Sequence, residues 1–321
     1  MTRILRRVAL VAGIALLPVG HAGADGRHAL IIFGAPGGEK YAAQHARWAE
    51  GLKTTLVDRF RFASDRILVL SDGAAPAERS TRDNIRRVLT DLQSRVGPKD
   101  LVLLLLVGHG TVDAASAKFN LPGPDMEDSE WATLLRPLPG RLVFINTASG
   151  SYPFLRTLSA PNRIVITATD STAQRFYTVF PERLVEALAD PSLDRDKNGR
   201  LSVWEVFAAT SAAVQQYYEQ RGQLSTERPV LDDDGDGRGT EGDAAGPDGA
   251  LARTTYVDAY PLSEFMDPAL TSLIDRQRAL EREAETLKLQ KGSMPPADWE
   301  VEFERLMIEL ARVSRAIRSR S

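Results

Sequence analysis

The chain has 321 residues, 43% hydrophobic and 26% charged, with a formal net charge of −3. That is enough for a sizeable buried core and excludes wholesale disorder, and no basic field points to nucleic acid. It has no cysteine at all, which excludes disulfides and every mechanism that needs a protein thiolate.

Taken in chain order, Arg3, Arg6 and Arg7 precede a short apolar run from Val8 to Val19, and Ala22-Gly23-Ala24 forms a small-residue cleavage site. This is the pattern of a secretory signal over residues 1–24, with Asp25 as the mature N-terminus and a periplasmic or secreted destination. The other reading, an uncleaved anchor, is set lower because the run is short for a bilayer. No later segment is apolar enough to cross a membrane, so none is expected after cleavage.

Ala29 to Phe33 is a continuous apolar run closed by Gly34-Ala35-Pro36-Gly37-Gly38, and reads as a buried parallel strand. Trp48, Leu52, Leu56 and Phe60 give one helix stripe. Ile67 to Leu70 is a short strand. Ile85, Val88, Leu89, Leu92 and Val96 mark a helix capped by Ser80 or Thr81 and stopped by Gly97-Pro98. Leu101 to Val107 is the strongest strand signal; Leu142 to Ile145 and Ile164 to Ala168 follow, with a helix around Trp131 to Arg136 between. The alternation predicts a mainly parallel sheet of about six strands in a three-layer α/β/α domain over residues 25–262.

Helices dominate from Phe180, interrupted by two acidic loops in a segment of about 180–245, and Asp232 to Ala250 reads as a surface loop. Over residues 263–321, Leu270, Leu273, Ile274, Leu280 and Leu287 form one amphipathic run. Trp299, Phe303, Leu306, Leu310, Val313 and Ile317 form a heptad seam after Pro295-Pro296. An antiparallel helical hairpin follows, packing on its own chain in preference to a dimer through these helices.

Two turns carry candidate chemistry. Val107-Gly108-His109-Gly110-Thr111 ends the strongest strand, where open parallel sheets bind ligands. An imidazole there suits proton transfer, and the glycines admit a close backbone approach. Asn146-Thr147-Ala148-Ser149-Gly150-Ser151 ends the next strand in abruptly small, polar residues, which puts Ser149 at the same edge.

The two turns together resemble the caspase and legumain superfamily of cysteine peptidases, in which the catalytic His and Cys end adjacent strands. Lys118 to Asp125, Ile166 to Thr169 and Val230 to Gly237 look similar to segments of exported bacterial legumain-type proteins, over roughly residues 27 to 250. The resemblance implies a caspase-like fold, His109 at the catalytic histidine, Ser149 at the cysteine position, and an oxyanion donor in the Gly110 N–H. A register shifted by one would put Ala148 there instead.

Serine at that position departs from the family. A hydroxyl needs a well-oriented base held by a third group, for which Asp113 and Asp170 are the candidates, and neither sits in a triad motif. The preferred expectation is a non-peptidolytic homologue that binds a peptide or protein at the His109/Ser149 edge, with Asp170 beside the ligand. The alternative is an active serine-variant hydrolase of peptide or ester bonds.

Asp194-Arg195-Asp196-Lys197-Asn198-Gly199-Arg200-Leu201-Ser202-Val203-Trp204-Glu205 fits the calcium-loop template. Asp194, Asp196 and Asn198 supply oxygens, Gly199 the sharp turn, Arg200 a backbone carbonyl, Ser202 a ninth-position oxygen, and Glu205 a closing bidentate carboxylate. Asp232, Asp234 and Asp236 repeat the alternating oxygens, but Asp243 stands where a glutamate would close the loop. Calcium is expected in the first loop; in the second it competes with a flexible acidic turn.

Overall fold

Strands buried on both faces can be apolar without interruption, and such runs build the centre of one sheet. The computed structural model describes residues 26–113, 116–198, 200–242, 246–258 and 268–320, so the expected signal segment lies outside them. In chain order the first half runs β1 (Arg27–Phe33), α1 (Glu39–Thr54), β2 (Ile67–Leu70), α2 (Arg82–Arg95), β3 (Leu101–Val107), β4 (Gly110–Val112), β5 (Ala117–Phe119), β6 (Met126–Glu127), α3 (Asp128–Leu135), β7 (Arg141–Asn146) and α4 (Tyr152–Leu158). Then come β8 (Arg163–Thr167), α5 (Phe180–Ala189), α6 (Val203–Glu219), β9 (Val230–Asp232), β10 (Thr240–Glu241), α7 (Ala250–Arg253), α8 (Pro268–Leu289) and α9 (Pro296–Arg318).

The main sheet has seven strands in the order β10-β9-β8-β7-β3-β1-β2. The five from β8 to β2 are parallel, and β9 and β10 add antiparallel at one edge. Side chains alternate across this sheet. Ala29, Ile31 and Phe33 join a core with residues of α1, α5 and α6; Leu30 and Ile32 join a second core with residues of α2, α3 and α4. The architecture is therefore three layers, α/β/α. A small antiparallel sheet, β4-β5-β6, follows β3.

Local signals act where expected. Thr81 caps α2 by accepting from the Asn84 N–H, and α1 continues into a π-helical turn over Thr55–Arg59 that delivers Phe60 to the core. The segment from Asp232 to Ala250 is only in part the surface loop its composition suggested: Asp234, Asp236 and Arg238 are exposed. Asp232, Asp233 and Asp248 are buried. Asp233 is satisfied there because its carboxylate accepts from the Gly249 and Ala252 N–H groups at 2.8 and 2.7 Å.

At the C-terminus α8 and α9 form the expected hairpin. Leu280, Ala284, Leu287 and Leu306 close its seam internally, and Trp299 stacks on Phe303. No helix among the described residues is long and apolar enough to cross a membrane.

Candidate functional site

β3 and β7 are parallel neighbours with Leu106 opposite Asn146, so the turns that leave them emerge side by side. His109 and Ser149 stand on these turns at the carboxyl edge of the sheet. The turns touch through backbone: a Cβ at Gly110 would come within 2.5 Å of the Ser149 carbonyl oxygen, so only glycine fits there. The Asn120 N–H donates to the His109 carbonyl at 3.0 Å. By the alternation of an antiparallel ladder, the Gly110 N–H and C=O then face away from β5. The carbonyl accepts from Ser149 Oγ at 3.2 Å.

The serine turn is held from several sides. Thr147 donates both N–H and Oγ1 to the Leu106 carbonyl, and Asn146 Oδ1 accepts from the Ala148 N–H at 3.0 Å. Ala148 puts its methyl into the core beneath. Both Ala148 and Ser149 thus border the histidine turn, Ala148 through its methyl and Ser149 through its hydroxyl.

His109 is partly buried, and its surroundings are aromatic. Tyr41, in the first turn of α1, meets its ring edge-on at 5.6 Å; Tyr177 lies at 5.8 Å, and the two tyrosines are 5.3 Å apart. A Cβ at Gly37 would stand 3.8 Å from Nε2, so the loop after β1 forms a third side. Among the described residues, no hydrogen bond joins the imidazole to Ser149 and no carboxylate pairs with it. His45 lies below, with its pKa lowered to about 4 by burial first and by the nearby His109 charge second.

Both candidate third groups are engaged elsewhere. Asp113 accepts from the Ser116 N–H and lies 3.7 Å from Lys118 Nζ. Asp170 accepts from Gln174 Nε2 at 2.6 Å and lies 3.9 Å from Arg228. Gln174 in turn accepts from the Gly150 N–H through its carbonyl, so Asp170 organises the loop that carries Tyr177. That loop is tied down again where Thr178 Oγ1 donates to the Thr147 carbonyl at 2.6 Å. Glu227 anchors its end by accepting from the Val179 and Phe180 N–H groups and from the Tyr218 hydroxyl. Burial pushes the Glu227 carboxyl up to about 7. Sequence reasoning had no handle on Glu227, Tyr41, Tyr177 or Gln174, which converge from separate segments without a shared motif.

The first acidic loop brings Asp194, Asp196 and Glu205 together, with carboxylate oxygens within 4.8 Å of one another. Glu205 Oε2 accepts from Ser202 N and Oγ at 2.8 and 2.7 Å, and Oε1 from the Arg195 N–H at 2.8 Å. Ser202 and Glu205 therefore form a capping box that starts α6. Asp194 Oδ1 accepts from the Asn198 N–H, and Asn198 Oδ1 from the Arg200 N–H. The Arg200 side chain turns away, pairing with Asp258 at 3.0 Å and lying 3.8 Å over the Tyr256 ring. Burial, with the Glu205 and Asp194 charges adding to it, holds the Asp196 carboxyl above its usual range. Gly199 lies outside the described residues, as does Asp243.

The second loop differs from its expected composition. Asp232 and Asp234 converge with Asp248; Asp236 is not in the group. The Asp236 oxygen instead accepts from the Arg238 N–H within its own turn, while Asp248 arrives from beyond β10, fixed by Thr240 Oγ1 and the Asp233 N–H. Asp248 is missed by a reading of spacing because it lies fourteen positions after Asp234, beyond a strand. Burial pushes its pKa up to about 7. Both clusters have the hard oxygen donors that divalent cations such as calcium take.

No protein-family model matches the sequence, and no curated protein matches it. Among solved structures, a crystal structure of protein GSU0716 from Geobacter sulfurreducens is similar at 15% identity and a TM-score of 0.39, covering 64% of this chain and 92% of that one. A crystal structure of drICE is similar at 14% identity and the same TM-score of 0.39, covering 65% of this chain and 87% of that one.

Proposed function

We propose that this chain is a caspase-like peptidase homologue that binds a peptide or protein segment at the His109/Ser149 edge without cleaving it. One observation carries the reading: Ser149 Oγ donates to the Gly110 carbonyl, while His109 stands between two tyrosine rings with no carboxylate behind it among the described residues. A hydroxyl becomes nucleophilic when an oriented base takes its proton, and here the donor and the base are not joined. What the edge offers a ligand is an outward Gly110 N–H for a carbonyl oxygen and exposed rings at Phe176 and Tyr177 for an apolar side chain.

Calcium in the loop from Asp194 to Glu205, and a second ion among Asp232, Asp234 and Asp248, would stabilise the domain by neutralising converging carboxylates. The N-terminal pattern supports export to a periplasmic or extracellular space, where calcium is abundant. The self-closed seam of α8 and α9 favours packing within the chain over a dimer.

A serine-directed fluorophosphonate probe tests the site. We expect no labelling of the folded protein, and retention of peptides from a random library that Gly110→Ala abolishes. Labelling at Ser149 that His109→Ala removes would establish the hydrolase instead.

A further inference from the structure

Helix α9 carries two apolar stripes on opposite faces. Trp299, Phe303, Leu306, Leu310 and Val313 face α8 and close the hairpin seam. On the other side Ala297, Val301, Glu304, Ile308, Ala311 and Arg315 stand alternately four and three positions apart, which is again the spacing of a heptad stripe. Val301 is 69% exposed and Ile308 45%, and neither packs into a hydrophobic cluster among the described residues. The other four stripe residues are exposed beside them.

Charge along this outer face is sorted. Glu300 and Glu304 lie toward the start of α9, and Arg312 and Arg315 toward its end. Between the two helices of the hairpin, by contrast, the charges pair within the chain: Arg276 with Glu309, and Arg305 with Glu283, Glu302 and Glu309. Glu300, Glu304 and Arg315 form no salt bridge among the described residues. The helix dipole favours acids in the first turn and bases in the last, which accounts for Asp298 and Arg315 but not for Glu304 or Arg312, outside the terminal turns. Glu304 and Arg315 cannot meet within one chain, since eleven residues of helix hold them about 16 Å apart. In a parallel pair of such helices Glu304 would face Glu304. In an antiparallel pair the acidic half of each helix faces the basic half of the other.

We propose that the outer face of α9 is the interface of a homodimer, in which two α9 helices pack antiparallel across a two-fold axis placed between Ile308 and Ala311. Ile308 packs on the partner's Ala311, Glu304 meets the partner's Arg315, and by symmetry each contact occurs twice. The seam inside each hairpin is left intact, so this dimer does not compete with the packing of α9 on α8. The apolar stripe is narrow, which puts the contact at the low end of specific interfaces, with a Kd of about 10 µM.

Sedimentation equilibrium of the protein at low ionic strength is the test. The wild type should be monomeric at about 1 µM and dimeric at about 100 µM, and added salt should weaken the dimer. Ile308→Asp, at an exposed position, should be monomeric throughout. Glu304→Arg and Arg315→Glu each set like charges against each other at both symmetry-related contacts, and each alone should weaken the dimer about tenfold or more. Mixed in equal amounts, these two variants should restore it as a heterodimer, because every such contact then joins an arginine to a glutamate. A role for either residue within its own chain would not produce that rescue. Arg87→Gln, at an exposed arginine of α2, should change nothing. A wild type that stays monomeric at about 100 µM would overturn the proposal and leave the stripe to a different protein. Single variants that dimerise like the wild type, or a mixture that stays monomeric, would overturn it as well.

Discussion

Replacing Glu205 by glutamine separates the two roles of that carboxylate. Without metal it closes the capping box of α6 through Ser202 and holds the Arg195 N–H. Glutamine keeps one acceptor oxygen for the capping box and gives up the other, a loss of one hydrogen bond worth about 1 kcal/mol, and a domain of this size shifts by roughly 2–4 °C per kcal/mol. Glu205→Gln should therefore lower the melting midpoint by a few degrees even in chelator. The wild type should gain about 2.7 kcal/mol when calcium is at a hundredfold excess over its Kd, or roughly 5–10 °C. The diagnostic quantity is the calcium-dependent increment, not the midpoint itself. Thermal unfolding by circular dichroism, with calcium and with chelator, measures it in both proteins. In Glu205→Gln the increment from this loop should collapse, because the closing bidentate ligand is gone. Any remainder reports the second cluster and should vanish on adding Asp248→Asn. An increment identical in wild type and Glu205→Gln, or none in either, would refute the reasoning.

Three further outcomes are expected. Ser149→Cys should gain peptide cleavage that a thiol reagent blocks and His109→Ala abolishes, since a thiolate depends less on a tightly held base; a library left uncut would argue against any retained peptidase geometry. Gly110→Ala should destabilise by about 1–3 kcal/mol in denaturant titrations, because its Cβ meets a backbone oxygen at 2.5 Å that cannot rotate away. His45, with its pKa lowered to about 4, binds its proton more readily unfolded than folded. Stability should therefore rise with pH between about 4 and 6.5, by on the order of 3 kcal/mol at most from this group. His45→Phe should flatten that part of the profile relative to the wild type, and parallel profiles would sink the assignment. Glu227 and Asp248, each pushed up to about 7, act with opposite sign between about 4.5 and 7, which is why the comparison must be a difference.

What was legible in the sequence follows the physics of each element. The runs that became β1, β3, β7 and β8 announce themselves because a strand covered on both faces can be apolar throughout. The helix stripes of α2 and α9 were visible because only one face is buried. Strands β9 and β10 were hidden because β9 is three residues, β10 two, and both sit among aspartates. Those aspartates read as solvent-facing, yet Asp233 is buried as an acceptor for the amides that open α7. The first acidic cluster could be read because its oxygens lie within twelve residues. The second was read with Asp236 in place of Asp248, because the chain returns to that cluster only after a strand.

The same distinction explains why, among the described residues, His109 has no acid behind it although two acids lay in plausible places. Asp170 follows β8 at the carboxyl edge, where a triad would recruit it. Its carboxylate instead accepts from Gln174, whose carbonyl receives the Gly150 N–H and whose Oε1 receives the Arg228 N–H. The network spans the serine turn, the loop after β8 and the approach to β9, and Tyr177 projects from the middle segment onto the imidazole. The Asp170 carboxylate thus helps to order the loop that carries the ring beside His109. Freeing Asp170 for His109 would break the Gln174 contacts and loosen both the serine turn and the aromatic wall. A hydrolase would need an acid behind His109, and the two acids considered for that role are engaged with Lys118 and with Gln174 and Arg228 instead, which supports the proposal that this edge binds rather than cuts.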